Sequence, residues 1–253
     1  MQNKYADYLS GKVENKSILV TGGTTGIGRA VSLLLAEMGA NVLLVGQDQA
    51  HLDDTLNDAR EMEVGEKIHG VLADISTAEG IEKIFQEVDS HFDTLDILIN
   101  NAALAYQSVT DGDYGEWEHI VRTNLLGYLA CSHHAISRMR GRQSGHILNI
   151  GSMSADVREK GSSVYVATKS AIQGFSESLR KEVNEMGIKV SLIEPGAVDT
   201  DMQPASTEEK RRKVEQHEML QAEDIAFAVL FALSQPERCD IVELKIRPHL
   251  QEI

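Results

Sequence analysis

Tyr165 and Lys169 stand four residues apart in VYVATKSAIQGF, residues 164–175. On a helix that spacing puts both side chains on one face, so an ammonium can approach a phenol. Such a pair suits proton transfer to or from an oxygen. A free tyrosine gives up its proton only near pH ~10, and a nearby cation lowers that value. Taken alone, a pair at this spacing is more often an ordinary exposed helix face. Its meaning depends on what else the fold brings to it.

The second chemical feature is SILVTGGTTGIGRA, residues 17–30, where an apolar run passes through glycines into a helical pattern. Glycines let a backbone turn sharply and approach a pyrophosphate. The helix start then offers free N–H groups and a positive dipole end. Gly22, Thr24, Thr25, Gly26, Ile27 and Gly28 are the candidate contacts. Their spacing, G-x-x-x-G-x-G, departs from the general G-x-G-x-x-G fingerprint. A strand before, a helix after and a place in the first βαβ unit favour a dinucleotide. At the end of the second strand an acid selects NAD, whereas a small residue with a basic neighbour admits the extra phosphate of NADP. Here Gly46 and Gln47 hold those places, followed by Asp48. NADP is expected, with NAD the alternative. Asp74 and Ile75 follow the third strand. The Asp74 carboxylate could accept from an adenine amino group, or could compete with Ser76 and Thr77 to cap a helix.

These residues need a scaffold, and the apolar pattern supplies one. Strand-like runs fall at 17–21, 41–45, 68–73, 95–99, 146–151, 189–194 and 240–246. Most are continuously apolar, as for parallel strands covered on both faces. Segments such as 27–38, 77–91 and 113–140 are long enough for crossover helices. The expectation is a single α/β domain with a doubly wound, Rossmann-type parallel sheet in three layers. The polar segment from Met202 to Leu220 interrupts the rhythm. It is read either as a lid over a ligand or as a peripheral helix.

The ordered set TGGTTGIG, ADI (73–75), NNAA (100–103), Asn124 in RTNLLG, NIGSMS (149–154), YVATK (165–169) and EPGAVDTDM (194–202) resembles the short-chain dehydrogenase/reductase family. The match is to its single-domain branch, over roughly residues 15–247. The resemblance implies that Tyr165 is the acid/base and that Lys169 tunes it and holds the nicotinamide ribose. It implies that Ser152 orients the substrate oxygen and that Asn124 anchors a water relay to Lys169. Ser154 competes with Ser152, and either could simply satisfy backbone at a strand end. A kink with Asn124 bonded to backbone is the plain alternative. Asn101, Ala102 and Ala103 would lie beside the cofactor, although the family usually has glycine where Ala103 stands. Pro195, Gly196, Val198 and Thr200 would pass over the nicotinamide, unless Thr200 instead caps the lid helix. The ending RCDIVELKIRPHLQEI is similar to the branch of 3-hydroxy-acid and serine dehydrogenases, which tend to use NADP. A 3-oxoacyl-thioester reductase and a non-catalytic NADP sensor are the rival readings. Family members commonly assemble as homo-oligomers, here a tetramer or dimer.

Bulk properties narrow the class further. The chain has 253 residues, with 24 Lys and Arg against 39 Asp and Glu, for a formal charge of −15. A net negative surface repels nucleic-acid backbones. The run Lys210–Lys213 follows two glutamates and reads as a solvated helix face. No run is apolar enough for a membrane span, and MQNKYADYLSGKVENK has no signal-peptide core. Two cysteines make no disulfide framework, so a cytoplasmic setting is expected. Cys131, His133 and His134 do not have zinc-ligand spacing and are read as packing or subunit contact, with no metal expected.

Overall fold

The computed structural model describes residues 12–106, 108–203 and 205–251. Seven strands form one sheet: β1 Ser17–Thr21, β2 Asn41–Gly46, β3 Ile68–Leu72, β4 Ile97–Asn100, β5 Gly145–Ile150, β6 Ile188–Pro195 and β7 Glu243–Ile246. Their order is β3-β2-β1-β4-β5-β6-β7, and every neighbouring pair is parallel. The direction of winding reverses at β1. In such sheets the crevice beyond the strands' C-terminal ends at the reversal is the ligand position.

Alternation along the strands fills two apolar layers. Ile18 and Val20 of β1 pack with Val31 and Leu35 of α1 (Gly26–Glu37) and with Ile225 and Val229 of α9 (Ala222–Leu233). Leu19 points the other way, into a layer with Ile84 and Phe85 of α3 (Ala78–His91) and Val183 of α7 (Ser163–Val183). Helix α2 (Gln49–Glu61) crosses from β2 to β3. The three-layer, doubly wound architecture expected from the sequence is the one observed.

Two expected elements differ in detail. The segment 113–140 is not one helix. Asp113 caps α4 (Tyr114–Val121) in a reciprocal box with Glu116, a π-turn occupies Arg122–Leu126, and α5 continues over Gly127–Met139. The last strand is shorter than 240–246, and its burial alternates because it lies at the sheet edge.

Four-residue α6 (Ser154–Val157) follows β5. The polar excursion after β6 holds α8 (Thr207–Glu215), whose N-cap is Ser206. Leu220 N donates to Ala197 O (2.9 Å) and Asp199 N to Leu220 O (2.8 Å), so the excursion is pinned at its base. Among the described residues no helix is long and apolar enough to cross a membrane.

Candidate active site

The glycine turn is built by exclusion. Gly22 has a φ of +62°, and a Cβ there would lie 2.7 Å from Ala102 Cα. A Cβ on Gly28 would overlap the Gly22 carbonyl oxygen. The backbone therefore folds tightly against the residues after β4. Asn101 holds it there: its Nδ2 donates to Thr21 O (3.0 Å) and Gly22 O (2.9 Å). Thr21 Oγ1 accepts from the Asn101 and Ala102 N–H groups. Thr25 is the N-cap of α1 and its side chain makes no capping bond, which leaves the first-turn N–H groups for a ligand.

A cavity of about 370 Å³ lies over this turn, lined by Gly22, Thr24, Thr25, Gly26 and Ile27. Gly46, Gln47 and Ile75 close its far side, and Asn101, Ala102, Ala103 and Thr200 its near side. Gly46 has a steric reason independent of any phosphate, since a Cβ there would overlap Thr24 Cγ2. Asp48 caps α2, accepting from His51 N (2.9 Å). His51 also lines the cavity, a position the sequence reading missed. Asp74 is not on the wall. Its Oδ1 accepts from Ser76 N (2.8 Å), while Thr77 caps α3, so the capping contest goes to Thr77. Gly28 lies beneath the turn rather than on the surface of the cavity. Ala103 accommodates its methyl without strain, as it is not among the residues at positive φ.

A larger cavity, about 1020 Å³, meets the first at Ile27, Asn101, Ala103 and Thr200. Ser152, Tyr165, Lys169, Pro195, Gly196 and Val198 line it. Tyr165 and Lys169 both lie on α7, as their spacing requires. Lys169 is 2% exposed. Its Nζ donates to Ile150 O (2.9 Å) and stands 5.7 Å from the ring centroids of both Tyr128 and Tyr165. The fully buried Tyr128 donates to the same carbonyl (3.1 Å). Both serines line this cavity: Ser154 donates to Glu159 Oε1 (2.6 Å), while Ser152 Oγ accepts from Ser154 N (3.2 Å).

The electrostatics differ from the simple expectation. Burial pushes the Tyr165 phenol up to about 12, although Ser152 pulls it back and Glu159 pushes it further. Burial also lowers Lys169 to about 8, against an opposing pull from Glu194. The cation therefore does not outweigh desolvation at the phenol, because its hydrogen bond is directed to Ile150.

Asn124 is fully buried in the π-turn. Its Oδ1 accepts from Leu104 N (2.7 Å), and its Nδ2 donates to Leu104 O (2.8 Å) and Thr168 Oγ1 (3.3 Å). It clasps the chain after β4 to α7 and does not line either cavity. The kinked, backbone-bonded alternative describes its geometry. Thr200 is not the lid-helix cap. Lys210, 8% exposed, turns inward from α8 to Thr200 O (3.1 Å) and Asp199 Oδ1 (3.0 Å), so this member of the basic run is an anchor rather than a solvated charge.

The larger cavity also takes Asp201, within the motif at 194–202, and Tyr106, Asp111, Glu116, Glu159 and Gln251, which lie outside the motifs. Lys169 is the one lysine or arginine among its described lining residues. The carboxylate of a 3-hydroxy acid would meet an acidic rim there, contrary to the hint from the C-terminal sequence. Among the described residues no His, Cys, Asp or Glu cluster could hold a metal ion. Cys131 is core, its thiol pushed up to about 12 by burial, and His134 stacks on Phe85 at 4.7 Å.

A sheet wound about β1, a glycine turn beneath its crevice and a Ser–Tyr–Lys group beside it define a dinucleotide-dependent oxidoreductase. Comparison with known proteins agrees: the model for short chain dehydrogenases matches residues 16–211. The chain belongs to the short-chain dehydrogenase/reductase family and is an oxidoreductase. It is 34% identical over 238 residues to an uncharacterized oxidoreductase of Staphylococcus epidermidis, covering 94% of this chain and 99% of that one. An uncharacterized oxidoreductase of Staphylococcus aureus is 34% identical over 235 residues, 92% of this chain and 97% of the relative. The crystal structure of a dehydrogenase/reductase from Sinorhizobium meliloti superposes with a TM-score of 0.83 at 27% identity, covering 96% and 98% of the two chains.

Proposed function

We propose that the chain interconverts a secondary alcohol and a ketone with a nicotinamide dinucleotide, NADP being preferred. One observation carries this reading: Ser152, Tyr165 and Lys169 share a cavity that runs into the crevice above the glycine turn. The turn fits a pyrophosphate, because its packing excludes side chains and leaves helix N–H groups free. Thr24, Thr25 and Ile27 would hold that group. Gly46 and Gln47 would take the ribose phosphate, and Ile75, with Asp74 behind it, the adenine. Lys169 would hold the nicotinamide ribose, and the stretch from Pro195 to Thr200 would cover the ring.

When bound, the dinucleotide supplies or receives the hydride. Tyr165 gives a proton to the ketone oxygen, or takes one from the alcohol, while Ser152 fixes that oxygen by a hydrogen bond. A phenol held above its ordinary value stays protonated at neutral pH, which suits reduction. The acidic rim supports an uncharged substrate over a hydroxy acid or a phosphate-bearing thioester. The missing acid at Gly46 supports NADP. Exposed Val121, Leu126 and Leu129 on the α4–α5 segment support a homo-oligomer. The two free cysteines suit the cytoplasm.

The test is a panel of neutral ketones, alcohols and hydroxy acids assayed with each cofactor, beside the variant Tyr165→Phe. The variant is expected to lose turnover by about 10³-fold or more while still binding the dinucleotide. Undiminished activity would remove the role given to Tyr165, and tighter binding of NAD than NADP would reverse the cofactor preference.

A further inference from the structure

Glu194 is the buried charge that the reaction scheme leaves unused. It is 0% exposed, and neither carboxylate oxygen receives a hydrogen bond among the described residues. A buried acid in that state calls for an explanation. It follows Ile193, whose register partner in β5 is Ile150. It lies against the back of Gly151, where a Cβ would come within 3.1 Å of Glu194 Cγ and 3.3 Å of Oε1. Gly151 separates Ile150, whose carbonyl holds Lys169, from Ser152.

The charges around it do not balance locally. From β7, Lys245 Nζ stands 3.5 Å from Glu194 Oε2, but the same ammonium contacts Asp156 of α6 and lies 2.8 Å from Glu243. Three carboxylates thus share one cation. On the same face of β6, Leu192 packs against Tyr128 and against Ile172 of α7, one helical turn from Lys169, whose charge Glu194 supports.

We propose that Glu194 is a positioning residue for the reaction: its sealed carboxyl holds the charge on Lys169, and through it the readiness of Tyr165 to exchange a proton. The inference rests on the catalytic reading given above. The direction of each effect is consistent with it. Burial raises Glu194 to about 7, with Lys245 opposing and Glu243 and Asp156 adding to the rise. Burial lowers Lys169 to about 8, and Glu194 is the charge that opposes this.

The experiment follows the Lys169 side-chain signal by NMR of lysine-labelled protein against pH, with no substrate required. In Glu194→Gln, Lys169 is expected to lose its proton about one pH unit lower, a tenfold change in its ionisation constant. The pH limb for oxidation of whichever panel alcohol is turned over should move upward, because the phenolate loses its supporting cation. Lys245→Met, which leaves Glu194 protonated more of the time, should shift Lys169 in the same direction, and it serves if Glu194→Gln does not fold. An unmoved Lys169 titration in the folded variants overturns the proposal. Full activity in Tyr165→Phe would instead overturn the catalytic reading, so the two failures are distinguishable.

Discussion

The carbonyl oxygen of Ile150 accepts from both Tyr128 and Lys169, and that of Gly22 accepts from Asn101 while leaving no room for a Cβ at residue 28. Each fixes one half of the site through a single backbone atom. Gly28→Ala tests the second. The added methyl must push the turn off Asn101, at a cost of about 1–3 kcal/mol, and dinucleotide affinity should fall about tenfold or more. Denaturant unfolding and a dinucleotide titration read the two effects separately; unchanged affinity would mean the turn does not form the binding surface. At this scale the sequence was legible where a residue type has one use. Glycines crowded between a strand and a helix belong to that group, as does Tyr165 with Lys169. Tyr128 and Gln251 were not legible, because an ordinary tyrosine and a glutamine become site residues only through distant neighbours. Glu194 was visible as a charge ending an apolar strand, but its meaning depends on Lys245, far along the chain.

At the scale of elements, the π-turn at Arg122–Leu126 and the anchored helix α8 matter most. The turn aims Asn124 at Leu104 and Thr168, joining three segments that a straight helix would leave apart. The residues 113–140 announce helix by their pattern, and only Asn124, a poor helix former in its interior, pointed to the kink that the π-turn makes. Helix α8 was foreseen as a lid or a bystander, and its buried Lys210 ties it to Thr200, on the wall of both cavities. Lys210→Met removes that tie. Amide exchange is expected to quicken across 200–216, and KM for the dinucleotide to rise about tenfold with kcat nearly unchanged. If KM stays fixed while exchange quickens, α8 has no hand in holding the cofactor. Strands β1, β2, β3, β5 and β6 were readable to within a residue at each end, whereas β4 begins two residues after the start of its apolar run at 95–99. The edge strand β7 was not readable in this way, since alternation replaces the apolar run there.

Across the whole molecule, two buried titratable groups act on stability in opposite directions. His146, bonded to Ser191 Oγ (2.8 Å), is lowered by burial from 6.5 to about 4. The unfolded chain takes up its proton first on acidification, so stability from His146 is lost as pH falls from about 6.5 to about 4. Glu194 is raised from 4.5 to about 7. The folded state there holds the proton longer, so stability is lost as pH rises from 4.5 to about 7. Each contribution is at most about 3 kcal/mol, and the two oppose one another between roughly pH 4.5 and 6.5. Urea midpoints should therefore change little over that interval. Glu194→Gln should make the protein less stable at pH 5 than at pH 7, and His146→Gln the reverse. Parallel shifts in both variants would show that neither group titrates as described.

The sheet order also has a consequence in time. The glycine turn, β2, β4 and the Asn101 clasp all come from the first half of the chain, whereas Thr200 on the wall of both cavities, α9 packed against β1 and α1, and Gln251 of the larger cavity come from the second. The dinucleotide crevice is therefore complete only after the chain has been synthesised through α9, so cofactor capture belongs to the end of translation rather than to its middle.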